Sequence, residues 1–112
     1  MSNYRTEFQR QAEMFKALAN PHRLALFHRL TTCCNPGTAC SPEEAIRHNV
    51  GELGDGLEIA ASTLSHHLKE LNRAGLVQMQ RRGRNVECWV EPAILEELAT
   101  FFSGQLLTRS NT

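Results

Sequence analysis

Apolar side chains recur at three- and four-residue spacing in four stretches of this chain, a pattern typical of helices that bury one face. These stretches cover residues 4–18, 21 to about 31, 61–74 and 92–107. Before the second stretch, Asn20 suits the N-cap and Pro21 the first helical position. That helix should bury Leu24, Leu26, Phe27 and Leu30. The chain is therefore predicted to be mainly helical.

The segment between the second and third of these helices carries weaker signals. Ser41-Pro42-Glu43-Glu44 is a capping-box sequence, which predicts a short helix near residues 42–49. Residues 50–57 continue as another short helical stretch that its glycines weaken. A tight turn at residues 57–60 then leads into the 61–74 helix.

A single β-hairpin is predicted after the 61–74 helix. Gly75 ends that helix in the usual C-terminal cap position. Two strand-like stretches within residues 76–90 flank a turn at 82–85. Two short helices, a turn, a polar-faced helix and a basic-tipped hairpin together predict a winged helix-turn-helix. Its recognition helix is about 61–74 and its wing about 76–90, within a single domain over residues 1–112.

The outward face of the 61–74 helix carries side chains suited to DNA. With Leu64, Leu68 and Leu71 turned inward, hydroxyls and an imidazole face outward, and such groups suit base edges. Lysine and arginine neutralise phosphates, and the arginines at the hairpin tip are placed to reach a neighbouring groove. The candidate DNA-binding residues are Ser62, Thr63, Ser65, His66, Lys69, Arg73, Arg81, Arg82 and Arg84.

The charge balance supports this assignment only when it is resolved along the chain. The 112 residues carry 12 Lys and Arg against 12 Asp and Glu, a net charge of zero. Residues 61–86, however, hold five basic residues against Glu70, and residues 43–58 hold five acids against Arg47. Phosphates respond to the field within about 8–10 Å, so a local basic block can bind DNA in a neutral chain. No apolar stretch approaches a membrane span, and no signal peptide is seen at the start, so a cytoplasmic location is expected.

Five blocks of sequence carry a resemblance to a known family. They read A-L-A-N-P-H-R-L (17–24), V-G-E-L (50–53), S-T-L-S-H-H-L-K-E-L (62–71), A-G-L-V (74–77) and R-R-G-R (81–84). In these blocks the chain resembles the ArsR/SmtB family of metal-responsive winged helix-turn-helix transcriptional repressors. The resemblance spans roughly residues 12–92, and the 62–71 block is its most specific part.

The resemblance implies a homodimer that binds double-stranded operator DNA and releases it when a ligand binds. The N- and C-terminal helices, about 4–18 and 92–107, would form the dimer interface. Each 61–74 helix would enter a major groove of a palindromic operator. The chain departs from the family where a cysteine-bearing metal box usually follows E-L, because this stretch has no cysteine. Ala60 stands where the family often has a capping serine, so Ser62 is the expected cap.

Three cysteines form a separate candidate site. Cys33, Cys34 and Cys40 lie within eight residues in an apparent insertion after the second helix. Three thiolates suit a soft ion, so trivalent arsenic or antimony is the expected inducer, with another soft metal ion as a possibility. Cys88 is a poor ligand candidate because it lies in the middle of a predicted strand.

Alternatives to an arsenic-responsive repressor stay open from sequence. The same fold could sense oxidation, with Cys40 forming a disulfide with Cys33 or Cys34, or the cysteines could be inert. A protein-interaction module that does not bind DNA is a further alternative. No enzyme is expected, since no nucleophile triad, carboxylate pair or phosphate loop is present. His67, beside the inward Leu68, is expected to pack or to contact phosphate.

Overall fold

The computed structural model describes residues 4–32, 48–54 and 57–110, without the side chains of Glu7, His48 and residues 105–110. These described residues form five helices and three strands. They are α1 (Tyr4–Leu18), α2 (Pro21–Thr31), β1 (His48–Asn49), α3 (Val50–Leu53), α4 (Ala61–Arg73), β2 (Gln78–Arg82), β3 (Asn85–Trp89) and α5 (Pro92–Ser110). The mainly helical fold with a β-hairpin is confirmed.

The second helix begins as the sequence predicted. The Asn20 side chain accepts hydrogen bonds from the backbone N–H groups of His22 and Arg23, and Pro21 is the first helical residue. Leu26, Phe27 and Leu30 are buried, but Leu24 is 53 % exposed, so the prediction that it is buried was wrong. The three buried residues already fill the side of α2 that meets the core, and Leu24 falls outside that side.

The segment before α4 differs from the prediction where the structure describes it. Within residues 48–54 and 57–60 the one helix is Val50–Leu53, with Gly54 as its C-cap, and Leu57, which was predicted to be helical, is not. His48 and Asn49 form a strand, so the part of the predicted 42–49 helix that falls on them was wrong; residues 42–47 lie outside the described residues. The Asn49 side chain accepts from the Gly51 backbone N–H and so caps α3 where the strand ends.

The sheet is a hairpin with one short strand added. β2 and β3 pair antiparallel from Gln78 opposite Trp89 to Arg82 opposite Asn85. β1 pairs antiparallel with the other edge of β3, which gives the order β1-β3-β2. Two residues are too few to give a period-2 pattern in the sequence, which explains why β1 was not predicted.

One core joins the helices to the sheet. Its members come from every element except β1 and β2, and they include the residues that link α4 to the wing. The buried apolar residues are Met14, Ala17, Leu26, Phe27, Leu30, Leu53, Leu64, Leu68, Leu71, Leu76, Val77, Cys88, Val90, Ile94 and Leu98. None of the helices in the described part of the chain has both the length and the apolar character needed to cross a membrane.

Candidate nucleic-acid interface

The helix α4 is fixed to the rest of the domain along one side. Leu64, Leu68 and Leu71 are at most 5 % exposed and pack in the core, where α4 contacts α1 and α2. Burial of each leucine contributes about 1.5–3 kcal/mol relative to exposure, so three of them hold the helix firmly in one rotational setting. The same side chains on the opposite side of α4 are therefore always the ones exposed to solvent.

Every DNA-binding candidate on α4 lies on its solvent side. Exposed side chains occupy the first turn and then continue along the helix at three- and four-residue steps, as a helix lying in a groove requires. These residues are Ser62, Thr63, Ser65, His66, Lys69 and Arg73. Together with the wing arginines described below, they are called the recognition surface.

The first turn of α4 lacks a side-chain cap. Ala60 is the N-cap residue and has no side-chain oxygen, and Leu64 is the first residue whose N–H bonds back, to the Ala60 carbonyl at 2.8 Å. The expectation that Ser62 caps the helix was wrong, because Ser62 lies inside the first turn. The N–H groups of residues 61–63 consequently have no acceptor within the helix, and such groups with the helix dipole favour an anion.

The wing is tied to the end of α4. Gly75 has φ +83°, a value that suits glycine, and turns the chain out of the helix. The Asn72 side-chain amide donates to the Val77 carbonyl at 2.7 Å, which fixes the strand start to the last turn of α4. A second glycine, Gly83 at φ +61°, makes the hairpin turn. The arginines around that turn are all exposed: Arg81, Arg82 and Arg84.

Two carboxylates sit among the basic residues of the recognition surface. Glu70 accepts from Arg73 at 3.4 Å, and Glu87 lies 3.7 Å from the Arg82 guanidinium. Both pairs are on the protein surface, where such contacts contribute about 0–1 kcal/mol, so a phosphate can displace them at little cost. The carboxylates hold the arginines near the surface in the free protein and lower its local positive charge.

A contact that the sequence did not predict holds α4 against α2. The Arg23 Nε donates to His67 Nδ1 at 3.1 Å, and the His22 ring stacks on the His67 ring with centroids 5.6 Å apart. His67 is 6 % exposed, which confirms that it packs rather than faces DNA. The sequence signal was a histidine within the Leu64–Leu71 stripe, but that pattern does not identify a partner on another helix.

The cysteines divide into two groups. Cys33, Cys34 and Cys40 lie outside the described residues. Cys88 is fully buried in β3, and burial raises the pKa of its thiol to about 12, so it is protonated at neutral pH and unsuited to bind a metal as thiolate. Within residues 4–32, 48–54 and 57–110, no three His, Cys, Asp or Glu side chains form a group that could hold a metal ion.

Large aromatic side chains are exposed on the terminal helices. Tyr4 and Phe8 on α1 and Phe101 and Phe102 on α5 are between 40 % and 70 % exposed; these four are called the aromatic surface. The two helices meet beneath it through Phe15, whose ring lies 5.3 Å from that of Phe101. An exposed ion pair of 3.2 Å between Arg10 and Glu97 also joins them.

The comparison with protein families covers α2, α3, α4 and the first three residues of β2. A family model described as a helix-turn-helix domain matches residues 18–80. An uncharacterized HTH-type transcriptional regulator of Bacillus subtilis, YbzH, is 31 % identical over 99 residues, which are 84 % of this chain and 96 % of that protein.

Solved structures share the whole fold. The crystal structure of an ArsR family transcriptional regulator, RHA00566, superposes with a TM-score of 0.69 at 21 % identity, over 90 % of this chain and 97 % of that one. The structure of a possible transcriptional regulator for arsenical resistance superposes with a TM-score of 0.61 at 25 % identity, over 82 % of this chain and 81 % of that one. The arrangement of α3, α4 and the wing is therefore that of winged helix regulators.

Proposed function

We propose that this chain, which belongs to the helix-turn-helix transcriptional regulators, is a homodimeric repressor of the ArsR type that releases operator DNA when trivalent arsenic or antimony binds Cys33, Cys34 and Cys40. Its relatives are transcriptional regulators, a DNA-binding class without enzymatic activity. The inducer, the dimer and the residues of the recognition surface are the parts of this proposal that go beyond family membership.

The observation that carries DNA binding is the single-sided character of α4. Its inner side is buried in the core, while its outer side carries hydroxyls, an imidazole and two basic side chains. Beside it lies the wing, with three exposed arginines. Ser62, Thr63, Ser65 and His66 are suited to base edges and nearby phosphates in the major groove, and Lys69 and Arg73 to the phosphates along it. Arg81, Arg82 and Arg84 then contact the adjacent backbone or minor groove.

Homodimerisation is proposed through α1 and α5. A palindromic operator needs two recognition surfaces related by a twofold axis, and a second copy covering the aromatic surface supplies that relation. Exposed aromatic patches mark interaction sites in soluble proteins. Because both helices contribute to one continuous surface, an isologous contact can bury the same residues on each subunit.

The proposed inducer site follows from the donor chemistry and from its place in the chain. Three thiolates match the preference of trivalent arsenic or antimony for sulfur. Cys33 comes two residues after the end of α2, whose Leu30 is buried and whose Arg29 donates to the Leu53 carbonyl of α3 at 2.9 Å. Drawing the three sulfurs together shortens the segment after α2 and so pulls on a helix that contacts both α3 and α4.

The similarity to the possible transcriptional regulator for arsenical resistance supports arsenic as the inducer within this proposal, since 82 % of this chain superposes on it. A coupling of about 1–3 kcal/mol between inducer and DNA corresponds to a 5- to 150-fold loss of DNA affinity. Such a change is large enough for regulation and small enough for a shift of one helix to produce.

The test measures DNA binding by fluorescence anisotropy, with a duplex that the protein selects from a random library. Arsenite should weaken binding by the unmodified protein and by Cys88→Ala, the matched control for a buried cysteine. It should have little effect on Cys33→Ser, Cys34→Ser and Cys40→Ser. A full arsenite response in all three serine variants would overturn the assignment.

Two further measurements separate the alternatives. X-ray absorption at the arsenic edge should count three sulfur neighbours and no nitrogen. Release by peroxide that dithiothreitol reverses, without any response to arsenite, would favour a redox sensor. If no duplex is enriched and binding does not depend on salt, the chain is a protein-interaction module instead.

A further inference from the structure

His67 is a polar residue at a position where α4 otherwise buries leucines. It lies between Leu64 and Leu71 on the helix side that faces the core and is 6 % exposed. Among the described residues it is the one polar or charged residue in the buried class. A buried imidazole costs free energy unless it is hydrogen-bonded, so its partner identifies what it does there.

The partner fixes the protonation state of the ring. The donor is Arg23 Nε on α2, and a guanidinium can only donate, so His67 Nδ1 must accept with its lone pair. The imidazole is therefore neutral and carries its proton on Nε2. A proton added to Nδ1 would remove this hydrogen bond and leave two cations 3.1 Å apart.

Positive or protonatable groups surround the ring on both helices. From α2, Arg23 bonds to it and His22 stacks on it, and from α4 the His66 ring lies 5.7 Å away. A cleft of about 240 Å³ beside Arg23 brings in charged residues of α1 and α4 of both signs: Glu13, Lys16, Glu70 and Arg73. Burial, followed by the charges of Arg23, His22 and His66, lowers the pKa of His67 from 6.5.

We propose that His67 is a positioning residue for DNA binding, whose neutral ring adds to the contact between α4 and α2 and whose protonation loosens it, so that acid weakens DNA binding. The inference rests on the proposed function, because it assumes that α4 enters the DNA. The inference assigns a role in DNA binding to a residue that does not contact DNA. It also makes pH, in addition to the inducer, a condition that changes DNA affinity.

The sign of the effect follows from the lowered pKa. Well above pH 6.5 the ring is neutral in both the docked and the loosened forms, and the Arg23 bond contributes fully. As the pH falls below 6.5, forms in which α4 has loosened from α2 take up a proton before the docked form does. The docked form, which presents the recognition surface, is thus disfavoured progressively through the lowered pKa of His67.

The test compares the unmodified protein with His67→Asn by anisotropy between pH 7.5 and 5.5. The asparagine amide oxygen can replace Nδ1 as acceptor for Arg23 and does not titrate, so it should bind DNA nearly normally at pH 7.5. Relative to this variant, the unmodified protein should lose DNA affinity as the pH falls from 7.5 to 5.5, because forms in which α4 has loosened bind the proton more tightly than the docked form. The other four histidines are present in both proteins, so any effect of theirs on DNA binding cancels in the ratio.

A second pair of variants guards against a merely structural role. His67→Leu keeps the apolar packing and removes the acceptor, so its DNA affinity should be reduced at every pH without the acid-dependent loss. His28→Asn, at an exposed position on α2, should behave as the unmodified protein. Circular dichroism at each pH confirms that the compared proteins are folded.

Nitrogen chemical shifts of the histidine rings test the geometry without DNA. His67 should show an unprotonated Nδ1 at pH 7.5 and should take up its proton below pH 6.5. A proton on Nδ1 at pH 7.5, or the same pH profile for the unmodified protein and His67→Asn, would overturn this inference while leaving the proposed function intact. If the unmodified protein binds no DNA at pH 7.5, the proposed function itself fails.

Discussion

The recognition surface and the aromatic surface differ in the free-energy cost of exposing their side chains to water. The first consists of charged and hydroxyl groups, which are well solvated when the protein is free, so its exposure costs little. The second exposes four large aromatic rings, and covering one of them fully is worth about 1.5–3 kcal/mol. Charge chemistry therefore indicates the ligand of one surface, whereas the free-energy cost of exposure indicates that the other needs a partner.

The largest effect is expected from a charge placed on the aromatic surface. Phe102→Asp puts a carboxylate where a ring is 65 % exposed and, in the proposed homodimer, covered by the second copy. We expect dimerisation to weaken by about 100-fold or more, as for the central residues of an interface. DNA affinity should fall with it because the two half-sites are no longer bound together.

Sedimentation velocity measures the dimer, and the matched control is Ser103→Asp on the same helix. The Ser103 hydroxyl is exposed and bonds to the Ala99 carbonyl of its own helix at 2.7 Å, so its loss should leave the dimer intact. A Phe102→Asp protein that stays dimeric would show that the aromatic surface is not the interface.

A smaller effect is expected from removing a charge on the recognition surface. Lys69→Ala should weaken DNA binding by about tenfold at low salt and reduce the salt dependence by about one unit per subunit, as the loss of a phosphate contact does. Arg10→Ala makes the same change of charge far along the chain on α1 and breaks an exposed pair with Glu97. Sedimentation velocity checks that this variant is still a dimer before the affinities are compared. Equal losses in the two variants would mean that overall charge, rather than this surface, drives binding.

The sequence predicted which side of α4 is exposed better than it predicted the internal contacts. A leucine every three or four residues determines which side of α4 is buried, so the exposure of Ser65, His66 and Lys69 follows from local periodicity. The wing was predicted for the same reason, since glycine and the turn chemistry are local signals. Whether each of these residues is buried or exposed is determined within a single helix or hairpin.

Each feature that the sequence did not predict depends on a contact between segments that are far apart in the chain. The Arg23–His67 hydrogen bond spans 44 residues, and β1 exists only because β3 offers it an edge. The apolar stripe on α1 was recognised, but its Tyr4 and Phe8 are exposed, while Met14 and Ala17 face the core instead. Periodicity reveals that a face is apolar and cannot tell whether its partner is the same chain or a second copy.

The uncapped start of α4 offers a way to separate stability from binding. Ala60→Ser adds an oxygen that can accept from the first free N–H groups of the helix, which should stabilise the protein by about 0.5–1 kcal/mol. We expect a rise of roughly 4 °C in Tm, measured by calorimetry, without a gain in DNA affinity, because a phosphate competes for the same groups. Ala61→Ser, one residue inside the helix, is the control and should not raise Tm.

The smallest effect concerns a carboxylate on the recognition surface. Glu70 holds Arg73 at 3.4 Å and repels phosphate, so Glu70→Gln should free the arginine and strengthen DNA binding by about twofold at low salt, the scale of an exposed ion pair. Glu96→Gln makes the same change of charge at an exposed position on α5 and should leave the affinity unchanged. Anisotropy at two salt concentrations distinguishes the cases, because screening beyond about 10 Å removes distant charges from the balance. An equal gain from both variants would show that DNA responds to the net charge of the chain, and the neutral total would then matter more than the local basic block.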